Sequence, residues 1–275
     1  MNISHLILIV ALSSINHRGA WAQPLQYGQS IPASSISEKQ LSELNAAKKN
    51  YRADSLNAEN IIWLARRQAY LGRYDQAVAT LSWGISCHPA DARMYRHRGH
   101  RYLTLRCFEK AIADLEKAAS LISNQPDEVE PDGQPNEANT PTSTLHTNVY
   151  YHLGLAYYLR QQWLSAIYAF EKCHLLATNP DMKTAAANWL YISLKRYGSE
   201  GAADELMAST DFESPLLENE IYRKILLLHK QKPQPGAELK TALDGGDGVQ
   251  NATYLYGLYV YLLLNNHRTE ARQAL

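Results

Sequence analysis

The sequence predicts an all-α fold, a right-handed α-solenoid of helix-turn-helix repeats, and three observations carry the prediction. Segments Ala58 to Pro89, Ala92 to Ser123 and Thr147 to Pro180 show one small/large pattern, and equivalent positions of the first two lie 34 residues apart (Ala77 and Ala111, 111 − 77 = 34). Small residues recur where two paired helices must cross closely, and bulky ones where neighbouring pairs pack. Glycine and proline fall at the turns and ends of the pattern, as at Gly72 and Pro89.

The chain opens on residues 1–22, which read as a removable export signal. An apolar core from Leu6 to Ile15 is too short to span a bilayer, and the small-x-small triplet Ala20-Trp21-Ala22 follows it. Cleavage is expected after Ala22, with the product periplasmic or secreted. Residues 23–57 form a flexible lead, Gln23 to Ser34, and then a capping helix. Ser37 with Gln40 makes a capping box, and Leu41, Leu44 and Ala47 share one stripe that covers the open end of the first repeat.

The array itself spans 58–207. In repeat 58–91, Leu64 and Ala65 take positions seven and eight, Gly72 and Tyr74 make the turn, and Ala77 and Leu81 face inward; Gly84 stands where alanine is usual. Repeat 92–123 supplies Tyr95, Gly99, Tyr102, Phe108, Ala111, Leu115, Ala118 and Leu121 at equivalent places. Repeat 147–180 gives Tyr150, Leu153, Gly154, Tyr157, Trp163, Ala166, Phe170 and Leu176, with Cys173 in an alanine position. A weaker copy, 184–207, carries Leu190, Leu194, Gly198, Ala203 and Met207. Residues 208–251 loosen into irregular helices and connectors, including a helix from Asn219 to His229 that buries Ile221, Ile225 and Leu228. A partial repeat, 252–275, holds Leu255, Leu258, Ala271 and Leu275; without a polar cap behind it, it implies a truncated chain.

Composition suits a soluble domain: 45% hydrophobic and 20% charged residues with a formal net charge of +0 offer no global attraction to nucleic acid or anionic membrane. Three cysteines, Cys87, Cys107 and Cys173, lie at repeat positions suited to small apolar groups, which argues against a disulfide framework.

Chemistry concentrates in Met94-Tyr-Arg-His-Arg-Gly-His-Arg-Tyr102, flanked by Arg93 and Arg106. Helical spacing puts Tyr95, Gly99 and Tyr102 on the packing face, and Arg93, Arg96, His97 and His100 on the side lining the inner curve. Arg66 and Tyr70 from the preceding repeat, and Tyr151, Leu155 and Tyr158 from the following one, are expected to flank them. Guanidinium groups beside aromatic rings seat carboxylates, because the fork pairs bidentately while the rings stack on apolar parts. Arg98 takes position seven, a buried place held by Leu64 and Leu153 in the neighbouring repeats, so it needs a partner or must snorkel out.

Insertion 123–146 carries Asp127, Glu128, Glu130, Asp132 and Glu137 with no Lys or Arg, and is broken by Pro126, Pro131, Pro135 and Pro141. Its default reading is a solvated, disordered loop. The alternative is a lid whose Asp127, Glu128 and Glu130 pair internally with Arg98 and Arg101. His97 and His100 lie one turn apart, but no carboxylate or thiol completes a metal site near them in sequence, so neither metal nor cofactor is expected. No nucleophile-base motif is recognisable, which argues against an enzyme.

Taken together, the repeats resemble the tetratricopeptide family from about Ala58 onward. Tyr95-Arg-His-Arg-Gly-His-Arg-Tyr102, Asp127-Glu-Val-Glu-Pro-Asp-Gly133 and Trp189-Leu-Tyr-Ile-Ser-Leu-Lys-Arg-Tyr-Gly198 also resemble a subgroup of exported bacterial repeat proteins. The resemblance implies a protein or peptide partner in the concave groove; joined to the cationic helix, it predicts an extended, acidic segment there. A scaffold or assembly factor working through convex faces or array ends, or a sensor for a small anionic ligand, are the alternatives.

Overall fold

The computed structural model describes residues 36–244 and 248–274. The expected export signal, its expected cleavage point and the lead Gln23 to Ser34 lie outside the described residues. Thirteen helices are found among those described, and no helix there is long and apolar enough to cross a membrane.

The described chain forms two compact units that divide at Glu128 and Val129. In the first, helix α1 (Glu38–Ala53) precedes two helical hairpins: α2 (Ala58–Tyr70) with α3 (Tyr74–Cys87), and α4 (Ala92–Thr104) with α5 (Phe108–Ile122). The capping box at α1 is formed, with the Gln40 N–H donating to Ser37 Oγ at 3.2 Å and the Ser37 N–H to Gln40 Oε1 at 2.9 Å. The second unit pairs α6 (Leu145–Leu159) with α7 (Trp163–Leu176), and α8 (Pro180–Tyr197) with α9 (Glu200–Ser209). It continues through α10 (Glu220–Gln231), α11 (Pro235–Leu243), α12 (Val249–Leu264) and α13 (Arg268–Gln273).

One turn joins five of these helix pairs. Just past the first helix, one N–H returns to the carbonyl five residues back: Arg73 to Gln68 at 3.0 Å, and Cys107 to Tyr102, Gln162 to Tyr157, Ser199 to Leu194 and His267 to Leu262 each at 2.9 Å. The residue just before that donor is left-handed each time: Gly72 (φ 71), Arg106 (58), Gln161 (57), Gly198 (91) and Asn266 (66). This Schellman geometry satisfies carbonyls that the helix ends leave open. Three of the five turns accept a non-glycine residue there, at a cost of about 1 kcal/mol each, so the turn is set by the packed pair rather than by glycine alone.

Packing follows the repeat register. Ala77, Ala111 and Ala166, at one repeat position, are each 0% exposed, because the second helix of a pair meets the first across that point. Gly84 also gains a reason. A Cβ there would run into Met94 Sδ and come within 2.7 Å of Ile61 Cγ2, so the bulk of Met94 from the next repeat fills the place an alanine methyl would take.

From Val129 onward the insertion is anchored at several points, while much of it stays exposed. Val129 and Thr144 form an antiparallel bridge. Asn136 Nδ2 donates to Glu218 Oε1 at 2.7 Å, Thr142 Oγ1 to Glu218 Oε2 at 3.2 Å, and Asn179 Nδ2 to the Thr142 carbonyl at 2.9 Å. Side chains of the insertion thus find a partner in Glu218 of the linker before α10, and the Thr142 carbonyl finds one in Asn179 at the start of α8, which a wholly disordered loop would not provide. Burial pushes the Glu218 carboxyl up from its ordinary range, with the Asn136 hydrogen bond opposing.

Deeper in this unit, His229 lies between the rings of Tyr191 (4.8 Å) and Tyr261 (5.4 Å). Burial, with Lys195 adding, lowers its pKa to about 3. A histidine held neutral in the fold stabilises fully above its unfolded pKa of about 6.5, and that contribution drains away as pH falls from there toward 3. Stability is expected to drop by up to about 1.4 kcal/mol per pH unit across that window. Urea unfolding at neutral and mildly acidic pH checks this, and His229→Leu should flatten the dependence.

Candidate functional site

Helix α4 is the origin of the site in the first unit. Its N-cap Asp91 starts the helix, and Arg96, His97, His100, Arg101 and Thr104 then recur at the i, i+1, i+4, i+5 and i+8 spacing of one stripe; all five are buried. Arg96 Nη1 donates to His97 Nδ1 at 2.9 Å, which fixes that imidazole as an acceptor at Nδ1. From α2, the Arg66 guanidinium lies 4.3 Å over the Trp63 ring and donates from Nη2 to Tyr70 Oη at 3.4 Å.

Arg101 dominates the electrostatics. It is 8% exposed, and among the described residues no carboxylate pairs with it. Burial lowers its pKa to about 10; Tyr74 and Tyr70 oppose that shift, while Arg96 and Arg66 add to it. The same environment acts on Tyr74, whose phenol burial pushes up and Arg101 pulls back down. Arg66, Tyr70, Arg96 and Arg101 thus lie in one electrostatic neighbourhood, and Arg101 belongs to the stripe rather than to an internal ion pair.

Other expected members go elsewhere. Arg93 is drawn to the start of its own helix, where it pairs with Asp91 Oδ2 at 2.7 Å and with Glu59 of α2. The Asp91 hydrogen bonds, first among the causes, raise its pKa above the usual arginine range. Arg98 is satisfied within the first unit: Nε and Nη2 donate bidentately to Asp114 Oδ2 and Oδ1 of its own repeat, both at 2.7 Å, and Nη1 donates to Ser82 Oγ of the preceding repeat at 2.9 Å. The insertion is therefore not what satisfies Arg98. Asp127 Oδ1 accepts the Glu128 N–H at 2.9 Å, and Glu130 Oε2 accepts from Asn148 Nδ2 at 2.6 Å.

Tyr151, Leu155 and Tyr158 are core residues of the second unit, not groove residues. Tyr151 is 0% exposed; it receives the Trp189 Nε1–H at 3.0 Å and donates to Tyr222 Oη of α10 at 3.2 Å. Leu155 and Tyr158 are buried as well, and Tyr158 Oη meets Tyr256 Oη of α12 at 3.1 Å. The late helices α10 and α12 cover the face that a shorter repeat array would leave open. Arg196 of α8, which the spacing argument overlooked, shares this neighbourhood, with its guanidinium 6.0 Å from the Trp163 ring. The signal for it was the Lys195-Arg196 pair closing a helix otherwise lined with Trp189, Leu190 and Ile192.

No family model matches the chain. No curated protein matches it. Among solved structures, the chain is similar to YrrB, described as a TPR protein with an unusual peptide-binding site, at 16% identity over 84% of this chain and 98% of that one, with a TM-score of 0.49. Two crystal structures of MamA are also similar: one at 18% identity over 73% and 99% of the two chains (TM-score 0.48), the other at 20% over 62% and 80% (TM-score 0.46). At such identities and scores no residue role passes from them to this chain. The helical-hairpin architecture rests on the chain's own turns and packing.

Proposed function

We propose that this chain is a non-enzymatic protein-interaction module that holds an acidic protein or peptide segment on the α2/α4 stripe, around Arg66, Tyr70, Arg96, His97, His100 and Arg101. One observation carries the reading: a guanidinium nine-tenths buried, without a carboxylate among the described residues, beside two further guanidinium groups and two phenols. A buried charge that the fold does not pair costs stability, and an incoming carboxylate would recover that cost as affinity. Because the stripe is buried, an acidic side chain reaching inward fits it better than a segment lying flat. The leading residues Leu6 to Ala22 support an exported setting for this activity.

The test joins stability to binding. Arg101→Met keeps the stem and removes the charge. The folded-state pKa lies below the ordinary value of 12.5, so folding disfavours the charged form. That penalty is complete at neutral pH and relaxes only as pH rises past about 10. The variant is expected to be more stable by on the order of 1–3 kcal/mol, yet to bind a labelled oligoglutamate peptide at least about tenfold more weakly, with a shallower salt dependence. Unchanged peptide affinity in a folded Arg101→Met chain removes this reading.

The scaffold alternative keeps one observation in its favour. Leu164, Tyr168 and Leu175 are all exposed on α7, at the i, i+4 and i+11 spacing of a single stripe. If oligoglutamate fails to bind and Leu164→Lys abolishes capture of a partner, the outer face is the working surface.

A further inference from the structure

We propose that Arg196 and the aromatic residues around it form a second recognition site, for a carboxylate carried on an aromatic body. It lies wholly within the second unit and does not depend on the α2/α4 stripe.

Four helices build it. Arg196 stands in the last turn of α8, Tyr158 near the end of α6, Trp163 at the start of α7, and Tyr256 with Tyr259 one turn apart on α12. Tyr158 and Tyr256 are buried and form a floor through their 3.1 Å hydroxyl contact. Arg196, Trp163 and Tyr259 are half-buried and form a rim. The Trp189 ring backs the floor, 5.1 Å from Tyr158 and 6.1 Å from Tyr256.

The hydrogen-bond inventory points to an acceptor. Guanidinium carries five N–H donors and accepts nothing. Arg196 donates one hydrogen bond to the Tyr158 hydroxyl, but its Nε is buried with no hydrogen-bond partner, and among the described residues no carboxylate pairs with this side chain. Of the two phenols in the floor, one spends its proton on the other, and the second proton remains to be donated. The C-terminal end of α8 offsets part of the positive charge, but places no acceptor on Nε. The cluster is rich in donors and poor in acceptors, and a carboxylate supplies two oxygens in the geometry a guanidinium fork matches. The aromatic rim decides the rest of the ligand: Trp163 and Tyr259 offer ring faces and edges, which favour a flat apolar group next to the carboxylate over a bare inorganic anion.

Two sources share that chemistry, a free aromatic acid and a polypeptide ending in an aromatic residue. Phenylacetate is titrated into the full chain and followed by tryptophan fluorescence, since Trp163 and Trp189 adjoin the site, and by calorimetry. Saturable binding is expected, weakened at least about tenfold in Arg196→Gln at unchanged helicity and about two- to fivefold in Tyr259→Phe. Neutral methyl phenylacetate and ring-free acetate should each bind at least about tenfold more weakly than phenylacetate. A short peptide ending in Phe, with a free or an amidated terminus, separates the sources: tighter binding of the free-terminus peptide than of phenylacetate assigns the site to a polypeptide end, and weaker binding assigns it to a free acid. The proposal is overturned if neither phenylacetate nor the free-terminus peptide saturates, if the ester binds as well as the acid, or if Arg196→Gln leaves affinity unchanged. Should Arg196→Gln lose helicity, the acid and ester comparison on the native chain decides alone.

Discussion

Asp181→Ala is expected to cost about 4 kcal/mol and to loosen the second unit, because that one carboxylate holds the linker before α10 in place. Asp181 is buried in the first turn of α8, behind Pro180. Its Oδ1 accepts the backbone N–H groups of Leu217 (3.1 Å), Glu218 (2.8 Å) and Asn219 (2.9 Å), and its Oδ2 accepts Leu217 again at 2.9 Å. Asn219 Nδ2 returns a bond to the Asp181 carbonyl at 3.1 Å. Alanine strands three backbone donors in a partly to fully buried place, each at about 1–3 kcal/mol, so the sum outweighs any single apolar truncation nearby. Asp181→Asn should fall between, since an amide keeps one acceptor but turns its NH2 toward donors. Urea unfolding followed by far-UV circular dichroism gives the magnitude. Near-UV signal and dye binding should change earlier, because α10 carries Tyr222, the partner of Tyr151. An Asp181→Ala chain within about 1 kcal/mol of the native one would show that the nest is dispensable.

Local devices were readable from sequence because their causes are local. The Ser37 capping box, the small residues Ala77, Ala111 and Ala166, and the turn at Gly72 each depend on neighbours within one or two helices. Arg106 and Gln161 adopt the same left-handed turn as Gly72 without advertising it, since the packed helix pair, and not the residue, imposes the conformation. The site was legible in its chemistry and misread in its membership. Spacing alone cannot say that Arg93 prefers Asp91 and Glu59, or that Arg101 lies on the stripe without a carboxylate. The reading of Tyr151 and Tyr158 as groove residues assumed that the inner face stays open. Tyr222 and Tyr256, from helices far along the chain, close it in this unit. A hint was present: Tyr254, Tyr256, Tyr259 and Tyr261 make α12 too aromatic for a helix with nothing to cover.

Arg98 and Asp114 should behave as a coupled pair, with each single substitution costly and the double one mild. Position seven of the repeat holds Leu64 and Leu153 on either side of Arg98. The position of Asp114 on the second helix holds Thr80 and Ala169. Charge has thus entered one repeat at two apolar or small places at once, and the two groups satisfy each other bidentately, with side chains 18% and 9% exposed. The Asp114 hydrogen bond raises the Arg98 pKa, as pairing requires. Asp114→Ala leaves a guanidinium with Ser82 and the rings of Tyr95 and Tyr102 but no carboxylate, at a cost of about 3 kcal/mol; Arg98→Leu leaves a buried carboxylate, at a similar cost. The double variant Arg98→Leu with Asp114→Ala restores the pattern of the neighbouring repeats, and is expected within about 1 kcal/mol of the native chain, or above it. The coupling, about 3 kcal/mol or more, is read from a cycle of urea unfolding midpoints; simple additivity of the two single losses would show that the pair is not coupled. Because Arg98 faces α5 while Arg96, His97, His100 and Arg101 share the other stripe of α4, the double variant should bind oligoglutamate within about twofold of the native chain. That separates a charge kept for folding from one left for a ligand on the same helix.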